Sequence, residues 1–267
     1  MSQSLTSCIP VLLLTKGLSG LTFEEKIIES FSKYARSYDR YAILQRSMAE
    51  RLASYLPETT PSNIIELGCG TGLFTRHLLT LPIKNLTLND ISSAMIEILK
   101  TRLELPEYTK FLIGNAESIS MGKADLICAN AVFQWFQNPQ SSLFHLKKSL
   151  NNKGMILFST FGTETLKEFR QAANMNSPIT LYSLDQWKNF IKNTGFTLKL
   201  FESEKRKIFT PNTMNLIKNL QQIGAAPIKN FNVGGLRKLI RYYDKHFSTK
   251  QGVYATWELY YFSINLD

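Results

Sequence analysis

The stretch IIELGCGTG, residues 64–72, decides the fold of this chain. Residues 64–67 form a short apolar run typical of a buried strand, and Leu73, Phe74 and Leu78 follow at helical spacing. Between them lie three glycines, which allow a tight turn and a close approach of a ligand because glycine has no Cβ. Free amide groups at the start of the helix would face that ligand. The stretch therefore predicts a strand, a ligand-binding glycine turn and a helix in succession.

Strand and helix signals alternate on the C-terminal side of this turn. Ser92 or Ser93 is expected to cap the helix that follows the second strand. Such alternation predicts an α/β fold in which a mostly parallel sheet has helices on both faces. We expect a Rossmann-like sheet of seven strands. The apolar runs that predict its inner strands lie at residues 86–88, 111–113, 126–128 and 155–158.

The N-terminal part of the chain departs from this alternation. Residues 1–22 are expected to form an extension to which the sequence assigns no role. Residues 23–267 are expected to form a single domain, since that length suits one large α/β unit. One or two amphipathic helices are predicted at residues 23–56, as a helical cap before the first strand.

The C-terminal part also has its own organisation. Ser183 and Gln186 have the spacing of a capping box, which predicts the start of a helix. Strands are predicted at residues 196–201 and 253–264. A helical insert of about 213–247 is predicted between them, before the last strand.

Composition excludes several classes of protein. The chain has 44% hydrophobic and 12% aromatic residues, as expected for a packed globular core. Its three cysteines, Cys8, Cys69 and Cys128, have no CxxC spacing, which favours a reducing, cytoplasmic location and argues against a zinc site. The three histidines are far apart, so we expect no metal. The sequence has no run of 18 apolar residues, so no membrane span is predicted. The apolar run at 9–14 lacks the basic flank of a signal peptide.

The charge of the chain is uneven. The net charge is +10, and residues 195–251 alone carry eleven Lys or Arg against three acids. A basic field attracts nucleic acid, an anionic membrane surface or an acidic protein. A solvated lysine-rich surface also explains the charge. When charge is the only evidence, that interpretation is the favoured one. A nucleic-acid enzyme is disfavoured because the sequence has no zinc motif or RNA-binding appendage.

Asp90 ends the second predicted strand, about where a ribose-binding acid belongs in dinucleotide-binding folds. A carboxylate there can accept hydrogen bonds from both ribose hydroxyls. Since Ile91 and Ser92 open a helix, Asp90 could instead be a helix N-cap. Its position after the glycine turn favours the ribose role, and together the two features argue against a non-catalytic interaction protein of similar fold.

These motifs resemble the class I S-adenosylmethionine (SAM)-dependent methyltransferases. Residues 114–117, GNAE, resemble the segment that holds the adenine edge in that family, and residues 125–130, DLICAN, resemble its fourth-strand motif. Most members have Asp at the position of Asn115, and an amide can still bind there. The resemblance implies SAM as the cofactor. It implies that the residues binding SAM are Glu66, Gly68, Gly70, Gly72, Asp90, Asn115, Ala116 and Asn130.

A narrower resemblance is to the malonyl-acyl carrier protein (ACP) O-methyltransferases of biotin synthesis, over about residues 24–264. It is carried by residues 31–45, 129–135, 159–162, 165–170 and 216–225. It implies methylation of the free carboxylate of malonyl-ACP, an early step of biotin synthesis. It implies ACP, an acidic protein, as the partner of the basic residues 199–250, with no nucleic acid and no membrane. Residues 130–135 also resemble trans-aconitate methyltransferases, so that activity remains the alternative.

Two side chains are candidates for roles in the reaction. Tyr38, assisted by Gln45, is expected to close over the cofactor, although the helical spacing of Tyr34, Tyr38 and Tyr41 is equally consistent with core packing. Arg170 is expected to pair with the substrate carboxylate, and its alternative is an exposed surface arginine. A carboxylate is ionised at pH 7 and needs no general base. That requirement fits the absence of His from every motif.

Overall fold

The computed structural model describes residues 20–175, 177, 179–224 and 232–266. Most of the predicted extension therefore lies outside the described residues, as do residues 225–231 of the predicted insert. The helix that follows the extension begins at Phe23, and Thr22 and Glu25 form its capping box. The division of the chain at residue 22 stays a prediction.

The sheet is mixed and mostly parallel. Its strands are β1 Asn63–Leu67, β2 Asn85–Asp90, β3 Thr109–Ile113, β4 Ala124–Asn130, β5 Leu150–Phe161, β6 Thr197–Thr210, β7 Ser248–Thr249 and β8 Gly252–Asn265. They are ordered β3-β2-β1-β4-β5-β8-β6, and the two-residue β7 pairs with β8. Strands β1 to β5 are parallel, whereas β8 runs antiparallel to both β5 and β6. The predicted Rossmann-like fold of seven main strands is confirmed.

Ten helices precede or connect these strands in the described residues. They are α1 Phe23–Tyr34, α2 Tyr38–Tyr41, α3 Ile43–Ala53, α4 Thr75–Leu78, α5 Ser93–Arg102, α6 Pro139–Lys147, α7 Lys167–Ala173, α8 Leu184–Asn193, α9 Thr213–Gln222 and α10 Val233–His246. A 3-10 turn, Phe133–Trp135, follows β4. None of the described helices has both the length and the apolar character needed to cross a membrane.

The core has two layers because the strands alternate their side chains between the two faces of the sheet. Ile64 and Leu126 face one apolar cluster, which α3, α5, α9 and α10 complete. Ile65 and Ile127 face the other cluster, which α6 and α8 complete. Helices therefore cover both faces, as the sequence predicted.

Several element boundaries differ from those predicted. Three helices, not one or two, precede β1, and the helix after the glycine turn is only the four-residue α4. Strand β6 continues nine residues past the predicted end, because its whole length pairs with β8. The basic residues 205–207 therefore lie on β6, outside the helical insert that α9 and α10 form.

The parallel strands position the site. Their carboxyl ends meet at one edge of the sheet, where β1, β2 and β4 end in Leu67, Asp90 and Asn130. Backbone hydrogen bonds fix the loops there: the Cys69 amide donates to Asn89 O at 2.9 Å, and the Gly114 amide donates to Asp90 O at 3.0 Å. Ligands bind at this edge of open α/β sheets.

Candidate functional site

The turn after β1 uses its three glycines for different reasons. All have positive φ angles, +57° at Gly68, +55° at Gly70 and +90° at Gly72. A Cβ on Gly68 would lie 2.5 Å from the Val132 side chain, and one on Gly72 would lie 2.5 Å from that of Leu103. A Cβ on Gly70 would meet no atom closer than 3.9 Å. Gly68 and Gly72 thus permit close packing, whereas Gly70 borders open space.

That open space is a cavity at the carboxyl edge of the sheet, which we name the turn cavity. The space in it that protein atoms do not fill is about 800 Å³, including open solvent at its mouth. Loops and strand ends line one side of it, with Gly68, Gly70, Asp90, Asn115, Ala116 and Asn130 among them. Helix α1 and the segment around the 3-10 turn line the other side, through Phe23, Glu24, Ile27, Phe31 and Trp135.

Asp90 is a buried carboxylate on the turn cavity, only 7% exposed. Its Oδ2 accepts from the Gly70 amide at 2.8 Å, and its Oδ1 accepts from the Ser92 amide at 2.8 Å. Burial raises the pKa of Asp90 to about 6, although these backbone donors oppose the rise. The N-cap of α5 is Ser92, which accepts from the Met95 amide, so Asp90 is not the helix cap. Each Asp90 oxygen keeps a lone pair for a ligand hydroxyl.

Glu66 and Gly72 lie behind the turn and do not line the turn cavity. Glu66 is 1% exposed, and its Oε2 accepts from the Thr75 hydroxyl at 2.7 Å. Burial raises the pKa of Glu66 to about 8, and the nearby charge of Asp90 adds to the rise. The structure thus places these two predicted binding residues where they support the turn from inside.

Asn115 and Ala116 follow β3 and line the turn cavity. The Asn115 Oδ1 accepts from the Glu117 amide at 2.9 Å, and its Nδ2 donates to Glu24 Oε2 on α1 at 2.9 Å. Ala116 is buried and lines the cavity beside them. Asn115 and Ala116 therefore line the turn cavity together with the Glu24 carboxylate of α1.

Asn130 joins the sheet to the N-terminal helices. Its Nδ2 donates to the backbone oxygen of Gln45 on α3 at 3.0 Å, and its Oδ1 accepts from the Ser159 hydroxyl at 2.8 Å. These two bonds fix the side chain at the end of β4, where it lines the turn cavity.

Helix α2 is fastened directly to the glycine turn. Asp39 forms an ion pair with Arg102 of α5 at 2.5 Å and accepts a hydrogen bond from the Thr71 hydroxyl. The neighbouring Tyr38 lines the turn cavity. Because Asp39 reaches both the turn and α5, it holds Tyr38 against the site.

A second cavity adjoins the first, and we name it the apolar cavity. It holds about 840 Å³ not filled by protein atoms. Most of its lining is apolar, from residues such as Phe161, Phe169, Leu220 and Trp257. Four residues line both cavities, so the two meet there: Phe31, Tyr38, Ala131 and Trp135.

Tyr38 and Arg170, the predicted reaction residues, both line the apolar cavity. Burial raises the pKa of Tyr38 well above its usual range, and the charges of Asp90 and Asp39 add to the rise, so the phenol stays protonated. Arg170 donates through Nη2 to the Thr163 backbone oxygen, while its buried Nε has no partner among the described residues.

Gln45 was predicted to bind the cofactor, and that role stays a prediction. It lines the apolar cavity and not the turn cavity. It is 6% exposed, and its Oε1 has no hydrogen-bond partner in the described part of the chain. An unpaired buried amide oxygen on a cavity wall is free for a ligand, because such groups are otherwise paired.

Helix α1 contributes side chains to the turn cavity that the sequence did not predict. Phe23, Glu24 and Ile27 line the turn cavity from the first turns of this helix. The helical pattern of residues 23–56 predicts an apolar face, which gives a signal for Phe23 and Ile27. Nothing in that pattern marks Glu24, because an acid in a first helical turn is ordinary.

Comparisons with known proteins agree with this geometry. The methyltransferase-domain family matches residues 38–199. A solved methyltransferase structure from Bacillus halodurans superposes with a TM-score of 0.64 at 12% identity, over 82% of this chain and 98% of that one. A phosphoethanolamine N-methyltransferase of Haemonchus contortus, solved with S-adenosylhomocysteine, superposes with a TM-score of 0.57 at 15% identity, over 91% of this chain and 60% of that one. Fold and site together define a SAM-dependent methyltransferase.

Sequence relatives narrow that class. A malonyl-ACP O-methyltransferase of Ilyobacter polytropus is 32% identical over 253 residues, covering 89% of this chain and 96% of the relative. One of Bacillus cereus is 32% identical over 261 residues, covering 89% and 95%. The chain belongs to the malonyl-ACP O-methyltransferase family.

The turn cavity fits SAM. The space in front of Gly70, where a side chain would otherwise project, is open and belongs to the same cavity as Asn130. The free lone pairs of Asp90 suit two ribose hydroxyls. No three His, Cys, Asp or Glu side chains of the described residues group as metal ligands would.

Proposed function

We propose that this chain transfers the methyl group of SAM to the free carboxylate of malonyl-ACP, forming the methyl ester at an early stage of biotin synthesis. The observation that carries the proposal is the charge pattern of the apolar cavity. Among its described lining residues, Arg170 is the one charged side chain, and none is Asp, Glu, His or Lys. Such a cavity attracts an anionic group and offers it no general base.

Arg170 is the residue proposed to bind the malonyl carboxylate. The Thr163 backbone oxygen accepts from one end of its guanidinium, and its buried Nε has no hydrogen-bond partner among the described residues, so it is free to donate to a ligand. A guanidinium pairs with a carboxylate through two parallel hydrogen bonds, and the pairing leaves lone pairs free to attack.

Methyl transfer depends on aligning the carboxylate oxygen with the methyl group more than on proton transfer. Bound SAM supplies an electrophilic methyl group on its sulfonium. A carboxylate with a pKa near about 4 is already a nucleophile at pH 7. Tyr38, Phe31 and Trp135 lie where the two cavities meet, so these side chains would exclude water and hold the carboxylate oxygen in line. The protonated Tyr38 phenol can donate a hydrogen bond but cannot act as a base.

The proposed partner surface is centred on α10. Arg237, Lys238 and Arg241 are exposed on this helix, and no described residue forms an ion pair with them. On β6, in contrast, Lys205 pairs with Glu258 at 3.7 Å and Arg206 pairs with Glu204 at 2.5 Å. The three basic side chains on α10 therefore carry charge that no described acidic side chain offsets, unlike Lys205 and Arg206 on β6.

Helix α10 also lies close to the apolar cavity. Its Tyr243 packs against Phe169, a cavity-lining residue, with ring centroids 6.2 Å apart. Its Tyr242 hydroxyl accepts from Gln171 of α7 at 3.3 Å. An acidic carrier protein bound on α10 would thus deliver its acyl group to the cavity beside α7. We place this reaction in the cytoplasm, in line with the free buried thiols of Cys69 and Cys128.

The test is a competition between substrates. Malonyl-ACP, malonyl-coenzyme A and free trans-aconitate are each incubated with the chain and labelled SAM, with a chelator added in parallel. We expect the monomethyl ester of malonyl-ACP at the highest kcat/KM, unchanged by the chelator. A higher kcat/KM for trans-aconitate would overturn the proposal in favour of a small-acid methyltransferase.

A further inference from the structure

The turn cavity contains a carboxylate that the glycine motif does not account for. Glu24 lies in the first turn of α1 and lines the cavity. Its Oε2 accepts from the Asn115 Nδ2 at 2.9 Å. Glu24 therefore lies beside Asn115 on the wall of the cavity. The two residues are far apart in sequence but in direct contact.

Three carboxylates line this cavity, and in two of them both oxygens already accept hydrogen bonds from the protein. Both oxygens of Asp90 accept backbone amides. The carboxylate of Glu117 accepts from the amides of Gln137 and Asn138 and from the hydroxyl of Ser142. Glu24 differs, because its Oε1 has no hydrogen bond within the described residues.

Asn115 cannot easily replace Glu24 as the acceptor. Its one acceptor atom, Oδ1, already receives the Glu117 amide at 2.9 Å, and its Nδ2 is turned toward Glu24. An ionised carboxylate is also a stronger acceptor than an amide. The end of the cavity that holds Asn115 thus offers a ligand one free, charged acceptor.

We propose that Glu24 accepts a hydrogen bond from the exocyclic amine of the cofactor's adenine and so selects a 6-aminopurine over a 6-oxopurine. An amine at C6 donates to the free Glu24 Oε1. A carbonyl oxygen at C6 has no proton to donate and would face the carboxylate as a second acceptor. The inference rests on SAM as the cofactor and is independent of the methyl acceptor.

The test compares two ligands on matched variants. Calorimetry measures the Kd of S-adenosylhomocysteine and of S-inosylhomocysteine, its 6-oxo counterpart, for the wild type and for Glu24→Gln. Glu29→Gln is the control, since Glu29 is exposed on the same helix. We expect the wild type and the control to prefer the adenine ligand by at least about tenfold.

Glu24→Gln is expected to narrow that preference by about tenfold, because the Gln amide can donate to a C6 oxygen. Binding of the 6-oxo ligand also shows that the variant is folded. A preference in Glu24→Gln equal to that of the wild type would overturn the proposal.

A second variant tests the contact itself. Asn115→Asp places two carboxylates at the 2.9 Å contact, so it is expected to weaken S-adenosylhomocysteine binding by several-fold through repulsion. Adding Glu24→Gln to Asn115→Asp is expected to restore affinity. If Asn115→Asp binds the ligand as tightly as the wild type, Glu24 does not lie at the adenine end and the proposal fails.

Discussion

At Gly70 the backbone has a φ of +55° and borders open space. A side chain there would strain the backbone and would occupy the space needed by the ligand. Gly70→Val is expected to abolish SAM binding, because its side chain would project into the turn cavity. Gly122→Ala is the matched control: its φ is +81°, a Cβ there would meet nothing within 4 Å, and Gly122 lines neither cavity. The control should lose stability but keep its affinity for SAM. Calorimetry showing near-normal affinity in Gly70→Val would contradict the site.

Glu66 gives a prediction on stability. The pKa of this carboxyl is about 8 in the folded chain against an ordinary value of 4.5, so folding takes up a proton between these limits. The free energy of unfolding of the wild type should then fall as pH rises from about 5 to about 8. Glu66→Gln keeps an acceptor for Thr75 and does not titrate.

The difference in unfolding free energy between the wild type and Glu66→Gln should therefore move in favour of the variant by up to about 1.4 kcal/mol per pH unit. Urea unfolding at several pH values measures it. A difference that stays constant from pH 5 to pH 8 would show that Glu66 is ionised in the folded chain.

The positions of site residues were predictable from sequence where the local motif alone decides them. Gly70 and Asp90 line the turn cavity because a turn of this kind needs a glycine and because an acid at the end of β2 lies beside it. Two features were not predictable: which of the two cavities Gln45 lines, and that Glu24 lines the site at all. The positions of both residues depend on how α1 and α3 pack on the sheet, and helical periodicity carries no information on that packing.

At the scale of elements, the contact of α2 with the glycine turn depends on Asp39. Its ion pair with Arg102 is partly buried, with side chains 18% and 31% exposed. Arg102→Gln should weaken SAM binding by several-fold, because Tyr38 would no longer be held at the cavity. The control is Lys100→Gln on the same helix, whose exposed pair with Glu97 should contribute little. Equal SAM affinity in both variants would show that the ion pair between Asp39 and Arg102 has no role in SAM binding.

The elements themselves were predictable where local patterns are strong. Strands β1 to β5 are short apolar runs between turn signals, and the capping residues Ser92 and Ser183 were found at their helices. The length of β6 was missed, because its outer half contains the charged run 204–207 and is a strand only through its pairing with β8. The four-residue α4 was predicted too long, since apolar residues at helical spacing continue into the turns around it.

At the scale of the whole molecule, charge is expected to act on carrier-protein binding alone. Reversing Arg237, Lys238 and Arg241 to Glu should raise the KM for malonyl-ACP and flatten its dependence on salt, since long-range attraction is lost. Lys188 and Lys192 are the control, because they are exposed on α8, which covers the opposite face of the sheet.

Reversal of the α8 pair to Glu should leave the KM for malonyl-ACP near its original value. The α10 variant should keep its SAM affinity and its turnover of a small malonyl thioester. An unchanged KM for malonyl-ACP across salt concentrations in the α10 variant would mean that the basic stretch is a solvated surface only.

The lining of the apolar cavity implies that methyl transfer proceeds without a protein base, since Arg170 is its one charged residue among those described and Tyr38 stays protonated. The test is the rate of methyl transfer in a single turnover at saturating SAM and malonyl-ACP, measured from pH 7 to pH 9, above the pKa of Asp90. The malonyl carboxylate is ionised throughout that range, so the account predicts a constant rate of ester formation. A rate that rises about tenfold per pH unit, or no ester at all, would contradict it.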